Sequence, residues 1–445
     1  MAERFDRNDL ITHDQPIHDS SKPPSTLGSH ALSHRTIRFL DIYVGQPVCA
    51  LLTAVRFVGL GLGARRSSST SVVSKILFIK LIEQGATVLA YSAIKRAIAK
   101  VGRENVYFCV LSANAPILEI MDLIPEQNII KLRDSSLPRF LWSVLGFLWK
   151  SWRLGIDCTI DCEFFSRAPA ILAWLCGART RVGLHRINSE LPFRGDLLTH
   201  KVQYSPYLHV AKLYLQLVEA IDSPADELPK LKVKLSQLKV EAPKFTPRPG
   251  EKEALNQQIE DALGGPISHP CIILNPNVSD MLPLRKWPRE RFFTLAQHIQ
   301  REFPSCTLIF TGAPSEASDV QSICDRIGGG RIVSLAGKTS LRELVVCYTL
   351  ADVHVTNDSG PGHFASMTSI YNIVMFGPET PLLFGPLGER QEVITAGLAC
   401  SPCVNVINHR FSPCNNNVCM QNIPVDEVMQ AITRAVKVTN HVATA

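Results

Sequence analysis

Short unalternating runs of apolar residues, each closed by a turn former, recur along most of this chain. KILFIK at 75–80 is the first, and 106–111, 129–132, 158–161 and 180–184 follow at intervals long enough for a helix. Such runs fit strands covered on both faces, as in a parallel sheet. Between the first two, 81–87 reads as a loop and 88–101 as a helix with apolar positions at helical spacing. A second set at 271–274, 307–310, 332–335, 353–356 and 373–376 repeats the rhythm. Strands alternating with helices predict an α/β chain of two doubly wound parallel sheets. A Pro-, Lys- and Glu-rich stretch around 223–249 separates them, and its LKVKL is a candidate terminal strand. The expected division is a leader at 1–34, a basic amphipathic segment and linker at 35–70, a first domain at 71–235, a linker at 236–265 and a second domain at 266–445.

Five further stretches stand outside this rhythm or add to it. Residues 1–34 are polar and read as a disordered leader. The 35–66 stretch sets Arg35, Arg38, Arg56, Arg65 and Arg66 against one acid, Asp41. Gly45, Gln46, Pro47 and Arg56 interrupt its apolar part, which falls short of the about 20 residues a membrane span needs. It suits either the interface of an anionic membrane, the expected reading, or a helix packed on the protein's own surface. Ser-rich 67–71 is a linker. The helix at 138–154 carries Phe140, Trp142, Phe147, Trp149 and Trp152. A buried aromatic face is expected there in preference to one that binds an amphiphile. A terminal helix is expected at 425–438.

Composition narrows the class. The chain has 445 residues, 46% hydrophobic and 19% charged, enough for two globular cores. The net charge of +6 comes without a long Lys/Arg run, so no nucleic-acid partner is expected. Nine of the 13 cysteines lie in apolar surroundings, as small buried hydrophobes of a reduced, cytoplasmic protein. The N-terminus lacks a basic-then-apolar secretion signal. Cys400, Cys403, Cys414 and Cys419 cluster near the C-terminus. They are open to three readings: a four-thiolate structural zinc site, packed free thiols, or a disulfide.

Candidate chemistry lies in the loops that follow the second set of strands. Asn277 can hydrogen-bond a phosphate, and Arg285 and Lys286 can neutralise it. Glu316 can accept from a ribose or base, or merely favour a helix N-terminus. AGKTS at 336–340 lacks the Walker spacing of a phosphate loop. NDSGPG at 357–362 breaks between a strand and a helix expected at 363–368, with Pro361 suited to a first turn. It places Asp358, Ser359, Gly360 and His363 where open α/β sheets bind ligands. These loops suit a nucleotide diphosphate. Neither half holds GxGxxG, which weighs against a nicotinamide dehydrogenase.

NPN…RKWPRERFFTLAQHI, FTGAPSE, LAGKTSLRELVVCYTLADVHVTNDSGPGHFA and MFGPETP together resemble, over about residues 271–430, the donor half of glycosyltransferase family 9, the ADP-heptose:lipopolysaccharide heptosyltransferases. KILFIK…GATVLAYSAIKRAI resembles the other half more weakly. The resemblance implies the GT-B fold, two Rossmann-like domains facing a central cleft. It implies an inverting transfer of heptose from ADP-heptose to a lipopolysaccharide-core or lipid-linked acceptor, with no required metal or other cofactor. The protein would be cytoplasmic and peripheral on the inner face of the cell membrane. Asp358 would hold the donor sugar, Ser359 and Gly360 the diphosphate, and His363 the phosphate or sugar. Arg285 or Lys286 would balance the leaving group, with Arg285 at the place of the family's lysine two before the tryptophan. Glu316 would meet the nucleoside. The family's Gly-Asp, whose Asp is the general base, is here Gly85-Ala86. Glu83 is the nearest carboxylate and the replacement candidate. Ala86 also admits a catalytically inactive sugar-nucleotide-binding protein. A relative using another nucleotide sugar and an epimerase on the same fold are the other rivals.

Overall fold

The structure, a computed structural model, describes residues 34–61, 72–186, 191–279, 281–407 and 412–443. The expected leader, apart from its last residue, and the 67–71 linker lie outside the described residues, as do Arg65 and Arg66. The first sheet holds β1 (Ile76–Ile79), β2 (Val106–Leu111), β3 (Ile129–Leu132), β4 (Cys158–Asp161), β5 (Thr180–His185) and β6 (His200–Gln203). The second holds β7 (Cys271–Asn275), β8 (Thr307–Phe310), β9 (Arg331–Ser334), β10 (Val353–Asn357), β11 (Tyr371–Phe376) and β12 (Gln391–Thr395). The orders are β3-β2-β1-β4-β5-β6 and β12-β11-β10-β7-β8-β9, with the described pairings parallel. The two sheets are thus one topology used twice, as the sequence pattern predicts.

The strands are central because they are apolar on both faces. Ile76 and Phe78 of β1 pack with the Tyr91–Val101 and Val210–Glu219 helices, while Leu77 and Ile79 pack with the Leu137–Leu154 helix. In the second sheet Ile272 and Leu274 pack on the Arg289–Glu302 and Val425–Ala443 helices, and Ile273 packs on the opposite face. Strands β6 and β12 were not expected. They are edge strands, HKVQ and QEVIT, in which only His200, Val202 and Ile394 are buried, so their apolar signal is weak.

Four local expectations are corrected. The 81–87 loop is shorter: a helix begins at Gln84 and runs to Leu89, and Glu83 at its start takes φ 69°, which turns the chain sharply out of β1. LKVKL forms no strand; it runs irregularly into a 3₁₀ turn at Leu235–Gln237, with Leu231 at φ 56°. The helix after β10 is Gly360–Ala365, beginning ahead of the expected 363. The helix Leu137–Leu154 seats Phe147, Leu148 and small Ser151 against the sheet and leaves Trp142, Trp149 and Trp152 exposed at 74%, 59% and 59%. Within 236–265, the helix Glu251–Leu263 buries Leu255 and Ile259 in the same core as β7.

The two halves meet across the strand ends. The Gln84–Leu89 helix packs against Gly360–Ala365. Phe164 and Phe384 stack edge-on at 6.0 Å, and His209 Nε2 lies 2.9 Å from the Gly385 carbonyl.

Candidate active site

In each sheet the strand order reverses between two neighbours, β1 and β4 in the first, β7 and β10 in the second. Chain connections leave in opposite directions there, which opens a crevice at the carboxyl ends. The candidate residues gather at these two points.

At the second switch point Asn357, the last residue of β10, is fully buried. Its Oδ1 accepts from the Trp287 N–H at 2.9 Å, and its Nδ2 donates to the Asn277 carbonyl at 3.3 Å. One amide therefore fixes both loops that follow β7. Trp287 is itself buried, its indole N–H donating to the Ile423 carbonyl at 3.1 Å. From the far side Asn417 Nδ2 donates to the Leu284 and Lys286 carbonyls at 3.0 and 2.8 Å. Arg285 is held between these clamps. Its Nη1 lies 3.7 Å from Asp358 Oδ2 and 3.7 Å from Glu379 Oε2. Lys286 beside it is half-buried.

Two buried carboxylates thus share one guanidinium. Burial raises the Asp358 carboxyl, with Arg285 opposing. Burial and then the Asp358 charge push Glu379 up to about 8, again against Arg285. Burial therefore favours the neutral form of Glu379. Sequence reasoning gave Glu379 no role, although it follows a strand end as Asp358 does. His363 is buried and pushed down to about 3 by that burial, then by His209 and Arg285, so its imidazole is neutral. Among these groups Asn277 Nδ2, Arg285 Nε, Asp358 Oδ2 and His363 Nδ1 are buried and meet no hydrogen-bond partner in the protein. Orphaned polar atoms of this kind are costly in a closed core and mark a ligand site.

Ser359 stands at the start of the Gly360–Ala365 helix, its Oγ donating to the Asn357 carbonyl at 3.1 Å. Glu316 has a partner of its own: Oε2 accepts from the Ala313 N–H at 2.7 Å, shaping the loop after β8. Gly312 lies between Glu316 and Asn277, since a Cβ there would come 3.1 Å from Glu316 Oε2 and 3.2 Å from Asn277 Nδ2.

At the first switch point the charges are locked together. Fully buried Lys80 closes β1; its Nζ donates to the Ile82 carbonyl at 2.9 Å and lies 3.4 Å from Glu163 Oε1 and 3.7 Å from Glu83 Oε2. Glu163 Oε1 also accepts from the Leu81 and Ile82 N–H groups at 2.8 and 3.1 Å. Asp161, at the end of β4, accepts from the Glu163 N–H at 2.9 Å and pairs with buried Arg194 at 3.2 Å. Glu83 ends this chain of charges at the lip, on the turn that leads into Gly85. A Cβ on Gly85 would come 2.6 Å from His363 Cδ2 and 3.3 Å from Gly360 Cα, so only glycine allows the two halves this approach.

Of the three readings of the C-terminal cysteines, the arrangement is nearest to packed thiols. Among the described residues no three His, Cys, Asp or Glu side chains gather as a metal site. Cys403 Sγ lies 3.3 Å from Ser412 Oγ and Cys414 Sγ 3.1 Å from the Asn416 carbonyl, while Cys400 is exposed and Cys419 buried. None of the 13 cysteines is joined in a disulfide.

Residues 162–410 match the family model described as glycosyltransferase family 9 (heptosyltransferase). Lipooligosaccharide heptosyltransferase 2 of Campylobacter jejuni is 24% identical over 168 residues, 36% of this chain and 50% of that protein. The corresponding protein of Haemophilus influenzae is 25% identical over 201 residues, 45% of this chain and 54% of its own. The chain thus spans about half the length of the curated relatives it matches. Two solved structures share the fold at 18% identity and a TM-score of 0.62. They are the E. coli ADP-heptose lps heptosyltransferase II, matched over 81% of this chain and 98% of that one, and a family 9 glycosyl transferase from Veillonella parvula, matched over 83% and 99%.

Proposed function

We propose that this chain, which belongs to glycosyltransferase family 9, transfers a heptose from ADP-heptose to a lipopolysaccharide-core or other lipid-linked acceptor, with inversion at the anomeric carbon. The observation that carries this is the convergence of Asn277, Arg285, Asp358 and His363, each with a buried polar atom that makes no hydrogen bond within the protein, at the β7/β10 switch point. A sugar diphosphate supplies acceptors for the Asn277 amide and the guanidinium, and hydroxyl donors for Asp358. The relatives' printed name, heptosyltransferase, supports heptose as the sugar.

In this reading Glu83 takes the proton of the acceptor hydroxyl as its oxygen attacks the anomeric carbon. The bond from that carbon to the diphosphate oxygen breaks, and ADP leaves with the electron pair. Arg285 and Lys286 balance the developing charge. Neutral Glu379 offers an O–H where an ionised carboxylate would repel the diphosphate. Neutral His363 hydrogen-bonds sugar or phosphate, and Ser359 and Gly360 present hydroxyl and N–H groups to the diphosphate. Lys80 and Glu163 hold the turn that carries Glu83.

Purified protein incubated with ADP-heptose and a heptose-free lipopolysaccharide core should release ADP and increase the acceptor mass by one heptose. Asp358→Ala should abolish both. Failure of the unaltered protein both to bind ADP-heptose and to transfer would overturn the heptose assignment. Binding without transfer would make the chain a sugar-nucleotide-binding protein.

A further inference from the structure

Helices with two apolar faces need two partners, and the Leu137–Leu154 helix has both faces apolar. One face, with Phe147 and Leu148, covers the first sheet. The other sets Trp142, Leu145, Trp149 and Trp152 three or four residues apart, exposed at 74%, 55%, 59% and 59%, with Leu141 beside them at 54%. Three of the chain's five tryptophans thus face outward on one helix. Isolated exposed apolar residues are ordinary, but a contiguous stripe of this size marks an interaction surface.

A second exposed apolar surface lies on the same side of the sheet. The Arg167–Leu175 helix shares a core with Phe147 through Leu172 and Ala173, and touches Cys49 of the Gly45–Gly61 helix through Ala170. The three helices therefore follow the strand order across one face: Leu137–Leu154 on β3, Arg167–Leu175 on β4 and β5, then Gly45–Gly61. Gly45–Gly61 exposes Leu51, Val55, Phe57 and Val58 at 63%, 48%, 51% and 61%. Contrary to the sequence expectation, residues 39–59 are long and apolar enough to cross a membrane by length and composition, because the helix carries through Gly45, Gln46 and Pro47. Their polar side chains are instead tied to the domain. Asp41 pairs with Arg167 at 3.0 Å, Arg56 with Asp196 at 3.0 Å, and Thr53 Oγ1 accepts from the Asp196 N–H at 2.9 Å. A spanning helix would have to abandon all three.

We propose that these two helix faces form one surface that docks, without insertion of a spanning helix, on an anionic lipid bilayer. The occupant follows from side-chain chemistry. Tryptophan prefers the headgroup boundary, where an apolar ring meets water at one end. Cations flank the stripe along the sequence: Arg133, Arg139 and Arg153 are exposed, Lys150 is half-buried, and Asp134 is the one acid between positions 133 and 153. The Arg153 guanidinium lies 5.2 Å over the Trp149 ring, a cation already at the level of the stripe. Large apolar and aromatic groups rimmed by arginine and lysine fit the interface of anionic lipid. The proposal is independent of which sugar is transferred.

Vesicles of phosphatidylglycerol mixed with phosphatidylcholine, and vesicles of phosphatidylcholine alone, would be sedimented with the full chain. Binding is expected to the anionic vesicles, with tryptophan emission quenched by brominated acyl chains. Trp142→Ser, Trp149→Ser and Trp152→Ser together should weaken partitioning on the order of tenfold or more. Leu51→Gln with Val58→Gln should weaken it to a lesser degree. All five positions are exposed, so unchanged circular dichroism and an unchanged melting temperature show that the fold is intact. Equal binding by both variants and the unaltered chain would overturn the proposal. So would a lipid-free dimer that the triple variant turns into monomer while no form binds vesicles, because the face would then pair with a second copy.

Discussion

The two switch points of this protein are built on one strand order and solve opposite electrostatic problems. At the β1/β4 point, Lys80, Glu163, Asp161 and Arg194 are buried and satisfy one another. At the β7/β10 point, Asp358 and Glu379 share Arg285 at the long distance of 3.7 Å, and several buried polar atoms meet no partner. A closed network is a scaffold: it fixes a turn. An open one is costly until something fills it, which is how a ligand gains affinity from groups the fold has already oriented. The contrast also separates two kinds of carboxylate. Asp161 and Glu163 are locked into structure, whereas Glu83, at the lip of the same network, keeps its side chain 16% exposed and remains able to meet an acceptor.

The sharpest way to break this comparison is at that lip. Glu83→Gln keeps the shape of the side chain and removes the base. Heptosyl transfer should fall by about 10²–10⁴-fold, the usual contribution of a general base, while ADP-heptose binding by calorimetry stays unchanged. Undiminished transfer would place the base elsewhere. Glu163→Ala attacks the scaffold instead. It takes the buried carboxylate from Lys80 and from the Leu81 and Ile82 N–H groups, and should cost about 3–5 kcal/mol in denaturant unfolding. A loss below about 1 kcal/mol would mean that the first switch point is not a closed network.

The open network should reveal itself through pH. Glu379 titrates near 8 in the folded protein against an ordinary value of 4.5. Its folded form holds the proton more tightly than its unfolded form, so the stability it contributes is complete below 4.5 and is lost as pH rises through about 8. His363 works the other way, since burial lowers it from 6.5 to about 3, and its effect is over above 6.5. Between pH 6.5 and 8 the Glu379 effect stands apart from that of His363. Unfolding free energy should decline there by up to about 1.4 kcal/mol per pH unit on its account. Glu379→Gln should flatten the decline. An identical slope in the variant would remove Glu379 from the buried pair.

What was legible in advance follows the range of the interactions involved. Asp358, Ser359 and Arg285 announce themselves locally, as polar residues in turns that close apolar runs. Glu379 follows Gly377-Pro378 and reads as part of a turn; its weight comes from β11 lying beside β10, an adjacency the chain order leaves open. The tryptophan helix shows the limit of periodicity. With apolar residues on both faces, the 3.6-residue repeat cannot say which one the sheet takes. Ser151 decides it, as a small residue that allows close seating, together with the neighbouring Phe147 and Leu148. Edge strands β6 and β12 were missed because few of their residues are buried and apolar.

The cysteine-bearing segment gives the smallest test and the least local one. Its thiols do not gather on a metal, yet Asn417 within it donates to the Leu284 and Lys286 carbonyls, across more than a hundred residues of chain. Those two bonds hold the stretch that carries Arg285 from the side opposite to Asn357. Each is worth about 0.5–1.5 kcal/mol net, so Asn417→Ala should loosen the stretch without unfolding the domain. ADP-heptose affinity should drop several-fold, with turnover at saturating donor little changed, because the guanidinium would be less often in place rather than absent. Asn417→Asp, which keeps an oxygen but loses the donor, should behave like the alanine variant. A metal role for the segment makes a different prediction, a chelator-sensitive melting temperature with no dependence on residue 417. Measured side by side, donor affinity and chelator response decide whether this segment serves as a brace for the open switch point or as an independent structural element.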